Sequence, residues 1–203
     1  MGLNYGLFLT LGWSWVSFSP LVEDLSRYGY DLKVERTAYV GGYGYVSPDP
    51  WIWAISLSLF TGARGSGTDK DVSLSHGIVE ATVGYRYLRW RVKERNFVLY
   101  PFAGIGYGRV RVSFSTPGDL SYPDFVRDPA RGGSMYRGDY VGIVGLGALF
   151  DFGFTVGINV GYDVVIARES WFYGSDRLTG GPDVSPYGLY ARFMVGYAGD
   201  WGE

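Results

Sequence analysis

From Phe154 to Val165 the chain alternates. Phe154, Val156, Ile158, Val160, Tyr162 and Val164 take one parity, and Thr155, Gly157, Asn159, Gly161, Asp163 and Val165 take the other. A period of two predicts a β-strand. The second set holds mostly small residues and one acid near its end, where a sheet with one wet face would show Lys, Glu or Arg. Leu3–Trp15 repeats the pattern without a charge: Leu3, Tyr5, Leu7, Leu9, Leu11, Trp13 and Trp15 oppose Asn4, Gly6, Phe8, Thr10, Gly12 and Ser14. So does Trp51–Ala63, where Trp51, Trp53, Ile55, Leu57 and Leu59 oppose Ala54, Ser56 and Ser58.

Five further segments join these. Leu32–Tyr45 is less regular and predicts a strand with a bulge. Leu74–Leu88 sets Val79, Ala81, Val83, Tyr85 and Tyr87 against Glu80, Thr82, Gly84 and Arg86. Leu99–Gly108 has Gly104, Gly106 and Gly108 on one face, and Pro101 within it removes one ladder donor. Tyr140–Phe150 follows. Last comes Tyr187–Tyr197, with Leu189, Ala191, Phe193, Val195 and Tyr197 opposite Tyr190, Arg192, Met194 and Gly196. The connections alternate in length. Long ones fall near Ser17–Asp31, Gly62–Ser73, Ser113–Asp139 and Ile166–Pro186; short ones fall at Ser47–Pro50, Arg89–Asn96 and Asp151–Gly153. With antiparallel neighbours, every long loop lies at one end, and both termini lie at the other.

Eight strands can close into a barrel and abolish both edges. The less apolar face decides what surrounds it. That face carries Gly, Ala, Ser, Thr and Asn with isolated Glu80, Arg86, Asp163 and Arg192, the character of a tightly packed polar interior. The apolar face then points outward into lipid, where a charge at the bilayer midplane would cost roughly 2–4 kcal/mol. A lipocalin-like barrel would show the reverse. The inward charges need partners, and Glu80 with Arg86 or Arg192 is the expected pairing. Aromatic residues gather near strand ends, at Trp13, Trp15, Trp51, Trp53, Tyr85, Tyr87, Tyr107, Tyr140, Tyr162, Tyr187 and Tyr197, which suits the headgroup level. Phe8, Phe60, Tyr100, Phe102, Tyr190 and Met194 add bulk among the inward glycines, so no wide channel is expected.

Composition narrows the partners. The 203 residues suit one domain spanning 1–203. A balance of 18 basic and 20 acidic residues leaves no basic footprint for nucleic acid. Cys is absent, which excludes disulfides and thiolate metal sites. Charged residues are only 19%, below the usual quarter, while aromatics reach 18%, which excludes a disordered chain. No apolar run reaches helix-spanning length, and "MGLNYGLFLTLG" alternates like a strand, without the basic start or cleavage site of a signal peptide.

The eight-strand pattern over nearly the whole chain, with "LYPFAGIGYGRV" (Leu99–Val110) and "YGLYARFMVGY" (Tyr187–Tyr197), resembles the small eight-stranded outer-membrane barrels of the OmpA/OmpX-like family. The resemblance implies an all-β, antiparallel, up-and-down transmembrane barrel in the bacterial outer membrane, with short periplasmic turns and four long extracellular loops. It implies outer-membrane lipids or lipopolysaccharide as partners, an extracellular ligand or protein at the loops, and a monomer. Family members usually end on an aromatic residue; here "AGDWGE" follows Tyr197. No second domain is expected.

The candidate chemistry is sparse. His76 is the only histidine. As a catalytic base it needs a serine beside it and an acid orienting the ring. Ser75 points to the opposite face and Glu80 lies roughly 13 Å along the strand, which leaves Ser58 or Ser66 across a strand pair. A rim histidine is the preferred reading, with no catalytic residue, cofactor or metal expected. The loops offer a surface instead. Ser19–Gly29 predicts a short helix with Leu21 and Leu25 on one side. The third loop mixes Asp119, Asp124, Asp128 and Asp139 with Arg127, Arg131 and Arg137, without the spacing of a calcium loop. The last carries Arg168, Trp171 and Tyr173. The leading reading is a non-enzymatic envelope or surface-binding barrel. A narrow pore for ions or small polar solutes and a lipid-modifying acyl hydrolase or transferase are the alternatives.

Overall fold

The structure, a computed structural model, describes residues 3–34, 37–67, 70–92, 95–115, 132–179 and 181–201. Its elements are β1 (Leu3–Ser17), α1 (Ser19–Arg27), β2 (Asp31–Leu32), β3 (Thr37–Pro48), β4 (Trp51–Ser66), β5 (Asp71–Tyr85), β6 (Leu88–Val92), β7 (Arg95–Ser115), β8 (Gly132–Asp151), β9 (Thr155–Arg168), β10 (Trp171–Tyr173), β11 (Asp176–Leu178) and β12 (Ser185–Trp201). All the strands belong to one antiparallel sheet. Eight of them close a ring in the order β1, β3, β4, β5, β7, β8, β9, β12 and back to β1. The other four, β2, β6, β10 and β11, are short additions at the two rims.

Register sets the tilt. Following paired neighbours from Trp53 through Val46 reaches β1 at Tyr5. Following them the other way, through Val83, Ala103, Val144, Tyr162 and Leu189, reaches β1 at Trp15, a stagger of ten residues. With roughly 3.4 Å per residue along a strand and roughly 4.8 Å between strands, that stagger over eight strands tilts each by about 42°. The tilt separates the aromatic side chains into two levels. Tyr5, Trp51, Trp53, Tyr85 and Tyr197 lie near the short turns; Trp13, Trp15, Tyr107, Tyr140 and Tyr162 lie toward the loops. Between them the outward face is bare hydrocarbon, with Leu9 80% and Ile55 and Ile105 each 66% exposed.

The inward face packs as two tiers. The lower tier fills the barrel with Phe8, Tyr43, Tyr45, Tyr100, Phe102, Tyr190 and Met194 among others. The upper tier lies toward the loops, where Leu21 and Leu25 of α1 pack with Phe18, Phe60, Leu74, Val110, Val112, Trp171 and Val184. Glycines make room where strands press together. At Gly104 an added Cβ would run into the Ala81 backbone oxygen and sit 2.8 Å from Thr82 Cα. Replacing Gly104 with alanine is therefore expected to cost about 1–3 kcal/mol, read as a lower denaturant midpoint in detergent. An unchanged midpoint would mean that β5 simply gives way.

Several local expectations are corrected. The bulge considered for Leu32–Tyr45 does not occur among the described residues of β3, which pairs with β1 and β4 in unbroken register. Register shifts occur instead at Trp15/Ser17, Thr61/Ala63 and Tyr140/Val141. The second long loop is not long. β4 runs on to Ser66 and β5 starts at Asp71, because Ala63, Val72 and Leu74 have the upper tier to pack against. Arg89–Asn96 is mostly ladder, with β6 paired to the start of β7. α1 forms as expected, with Pro20 in its first turn, but its N-cap is Phe18 and lacks a side-chain cap bond. Tyr187 does not face the headgroups. The register shift at the start of β12 turns it inward, 5.3 Å from the His76 ring. β12 itself continues past Tyr197, pairing Trp201 with Leu3.

Candidate functional site: the lumen and the loop end

The ring brings inward positions of distant strands to face each other. Glu80 on β5 and Arg192 on β12 meet across the lumen. Arg192 Nη2 donates to Glu80 Oε2 at 2.7 Å, and Ser56 Oγ on β4 donates to the same oxygen. Both charges are buried, so each holds the other against a large desolvation cost. The Arg192 guanidinium also lies 5.2 Å from the Tyr190 ring. Asp163 lines the same space, with Oδ1 buried and without a hydrogen-bond partner among the described residues. Arg86, the other partner considered for Glu80, sits at the short-turn end and pairs with Asp49 at 3.4 Å.

The space around this network is small. Ser58, His76, Glu80, Asp163, Tyr190 and Arg192 line a cavity with about 30 Å³ open to water, room for a molecule or two. Beyond the ion pair, Tyr43 and Tyr100 bring their hydroxyls to 3.4 Å, and Tyr100 donates to Asn159 Oδ1 at 2.8 Å. With Phe8 and Met194 this polar tier fills the lower barrel.

His76, expected at the rim, is instead buried among aromatic rings. Its Nδ1 lies 3.1 Å from Tyr39 Oη, and Phe18, Tyr39 and Tyr187 surround the ring. Nε2 is buried without a hydrogen-bond partner among the described residues. Among the described residues no hydrogen bond joins His76 to Ser58, Ser66 or Ser75, and Ser56 is spent on Glu80.

At the loop end, two residues expected on the surface are buried braces. Arg137 Nη2 donates to Asp139 Oδ2 at 3.1 Å and to the Val184 carbonyl, and Nη1 donates to the Pro182 carbonyl at 3.3 Å. Its guanidinium is 5.5 Å from the buried Trp171 ring, whose Nε1 donates to Pro182 at 3.0 Å. Both keep the inward parity of Val141 and Ile143 along β8, whose register with β7 is unbroken, and so they face in under the last loop. Arg168 and Tyr173 are exposed, Arg168 in an ion pair with Asp183. Arg127 and Arg131, with Asp119, Asp124 and Asp128, lie outside the described residues. A third feature escaped the sequence pattern. Trp90, Phe97 and Phe150 form an outward row on β6, β7 and β8 at the short-turn end, visible only once that register is known.

No family model and no curated protein sequence matches the chain. Solved structures do. A major outer membrane protein from Thermus thermophilus matches with a TM-score of 0.54 and 9% identity over 96% of this chain and 98% of that one. Ail, the attachment invasion locus protein of Yersinia pestis, in complex with the heparin analogue sucrose octasulfate, matches with a TM-score of 0.50 and 14% identity over 98% of this chain and 99% of that one. At such identities the shared property is the architecture, and that architecture is the antiparallel outer-membrane β-barrel.

Proposed function

We propose that the protein is a non-enzymatic, monomeric barrel of a bacterial outer membrane, with its short turns in the periplasm, that supports the envelope and offers its loop end as a binding surface. The observation that carries this reading is the inversion of the barrel. Its outside is hydrocarbon bounded by two aromatic levels, while its inside is filled and crossed by a buried ion pair. A filled lumen leaves the outer surface and the loops as the places for binding. Arg168 and Tyr173 belong to that surface, and we assign Arg127 and Arg131 of the third loop to it. Arg64, Arg109 and Arg111 add exposed cations on β4 and β7. The sucrose octasulfate complex of Ail gives a precedent for polyanion binding within this architecture, and outer-leaflet lipopolysaccharide presents the same chemistry.

Planar-bilayer recording is the test. The wild type is expected to give no discrete conductance steps, and R192A is expected to open small ones by removing the bar across the lumen. Steps in the wild type would favour a narrow pore for ions or small polar solutes. Hydrolysis of a phospholipid ester that is lost in H76A would favour an acyl-modifying enzyme.

A further inference from the structure

On the outward face of the short-turn end, Trp90 is opposite Phe97 and Phe97 is opposite Phe150. Their rings follow one another at 5.2 and 4.7 Å, and the β8–β9 turn extends the ladder through Phe152 and Phe154 at 6.5 and 6.3 Å. Among the described residues nothing covers the ladder: Trp90 is 53% and Phe152 47% exposed. Four of the five rings are Phe. A Phe ring lacks the polar edge that holds Tyr and Trp among headgroups, so its place at this level calls for hydrocarbon against it. At the same edge the Arg95 guanidinium stands 4.9 Å above the Phe152 ring. A groove of about 710 Å³ runs between the rings, with Arg95, Asn96 and Asp151 as its polar lining. An apolar wall continuous with the lipid-facing belt, edged by a cation, an amide and a carboxylate, matches the layered chemistry of one phospholipid.

We propose that this groove holds a glycerophospholipid of the short-turn leaflet. The glycerol and first acyl carbons lie on Trp90, Phe97 and Phe150, the phosphodiester lies on Arg95, and Asp151 favours an ethanolamine headgroup through its ammonium. The assignment rests on the membrane-barrel reading above. Native mass spectrometry of detergent-refolded full-length protein tests it, using equimolar phosphatidylethanolamine, phosphatidylglycerol and diacylglycerol with identical chains. The wild type is expected to retain phosphatidylethanolamine above phosphatidylglycerol, and both above diacylglycerol. R95Q is expected to lower phospholipid retention about threefold to fivefold, the scale of one partly exposed ion pair, while R95K keeps it. Equal retention of diacylglycerol, or an R95Q spectrum like that of the wild type, overturns the proposal; equal retention of both phospholipids overturns the role of Asp151. Each sample is first run boiled and unboiled on SDS gels. A wild type that shows no boiling-dependent shift and folds without detergent overturns the barrel reading itself, a failure separate from loss of lipid by a folded barrel.

Discussion

R192A is expected to lower the unfolding free energy by about 3–5 kcal/mol, the usual cost of leaving a buried charge without its partner. Glu80 would keep only the Ser56 hydroxyl, with Asp163 in the same cavity. The loss falls at a junction, because Ser56, Glu80 and Arg192 tie β4, β5 and β12 across the lumen. The double variant E80Q/R192M removes both charges while keeping their bulk, and is expected to recover most of the stability. Urea unfolding in lipid vesicles, followed by tryptophan fluorescence, measures all three proteins. Equal stability of R192A and wild type, or a double variant as weak as R192A, would show that the bridge does not hold the lumen together.

Leu9→Arg is expected to cost about 2–4 kcal/mol in a bilayer, the penalty for an arginine on the lipid face near the midplane. Leu9 is 80% exposed, midway along β1 between the Tyr5 and Trp15 levels. In water a substitution this exposed would change stability by no more than about 0.5 kcal/mol, so the size of the effect reports the surrounding medium directly. Ser73→Arg is the matched control. Ser73 is exposed on β5 beyond the upper aromatic level, opposite Arg64 in register, and an arginine there is expected to cost under about 1 kcal/mol, the repulsion from Arg64 included. A neutral L9R in vesicles would place water, not lipid, around the barrel.

The strands with a clean period of two were legible. At the lipid level of β1, β4, β9 and β12 the outward set is apolar, and the inward set mixes small residues with isolated charges and a few bulky groups such as Phe8, Tyr190 and Met194. The Glu80–Arg192 pairing was legible as one of two choices, because isolated inward charges must find each other. What stayed hidden has one physical source, the change of surroundings along a strand. Above the lipid level the outward residues become Arg64, Ser73, Arg109 and Arg111, which read as loop, while the inward ones become the apolar upper tier. The alternation inverts its meaning there, and the register shifts at Thr61/Ala63 and Tyr140/Val141 reset its parity. Arg137 and Trp171 sit on strand stretches that read as loop, and the shift at the start of β12 turns Tyr187 inward. In β3, the inward Tyr39, Tyr43 and Tyr45 look more like a lipid face than the glycines opposite them. The Trp90–Phe97–Phe150 row depends on cross-strand register, which no single segment contains.

The ten-residue stagger also restricts how the chain can change length. Going once around the ring must return each strand to a whole number of residues, with inward positions still meeting inward ones, so stagger is available only in steps of two. Removing one residue between Ile158 and Val160 would send Tyr162 and Val164 into the lumen and bring Gly161 and Asp163 to the lipid, and β12 would meet the wrong partners. Two consecutive residues could leave from each strand of a hairpin without turning any face, because the residues on the turn side then move by two places. Insertions and deletions in relatives of this chain are therefore expected at the rims, in any number, or within the belt as matched pairs.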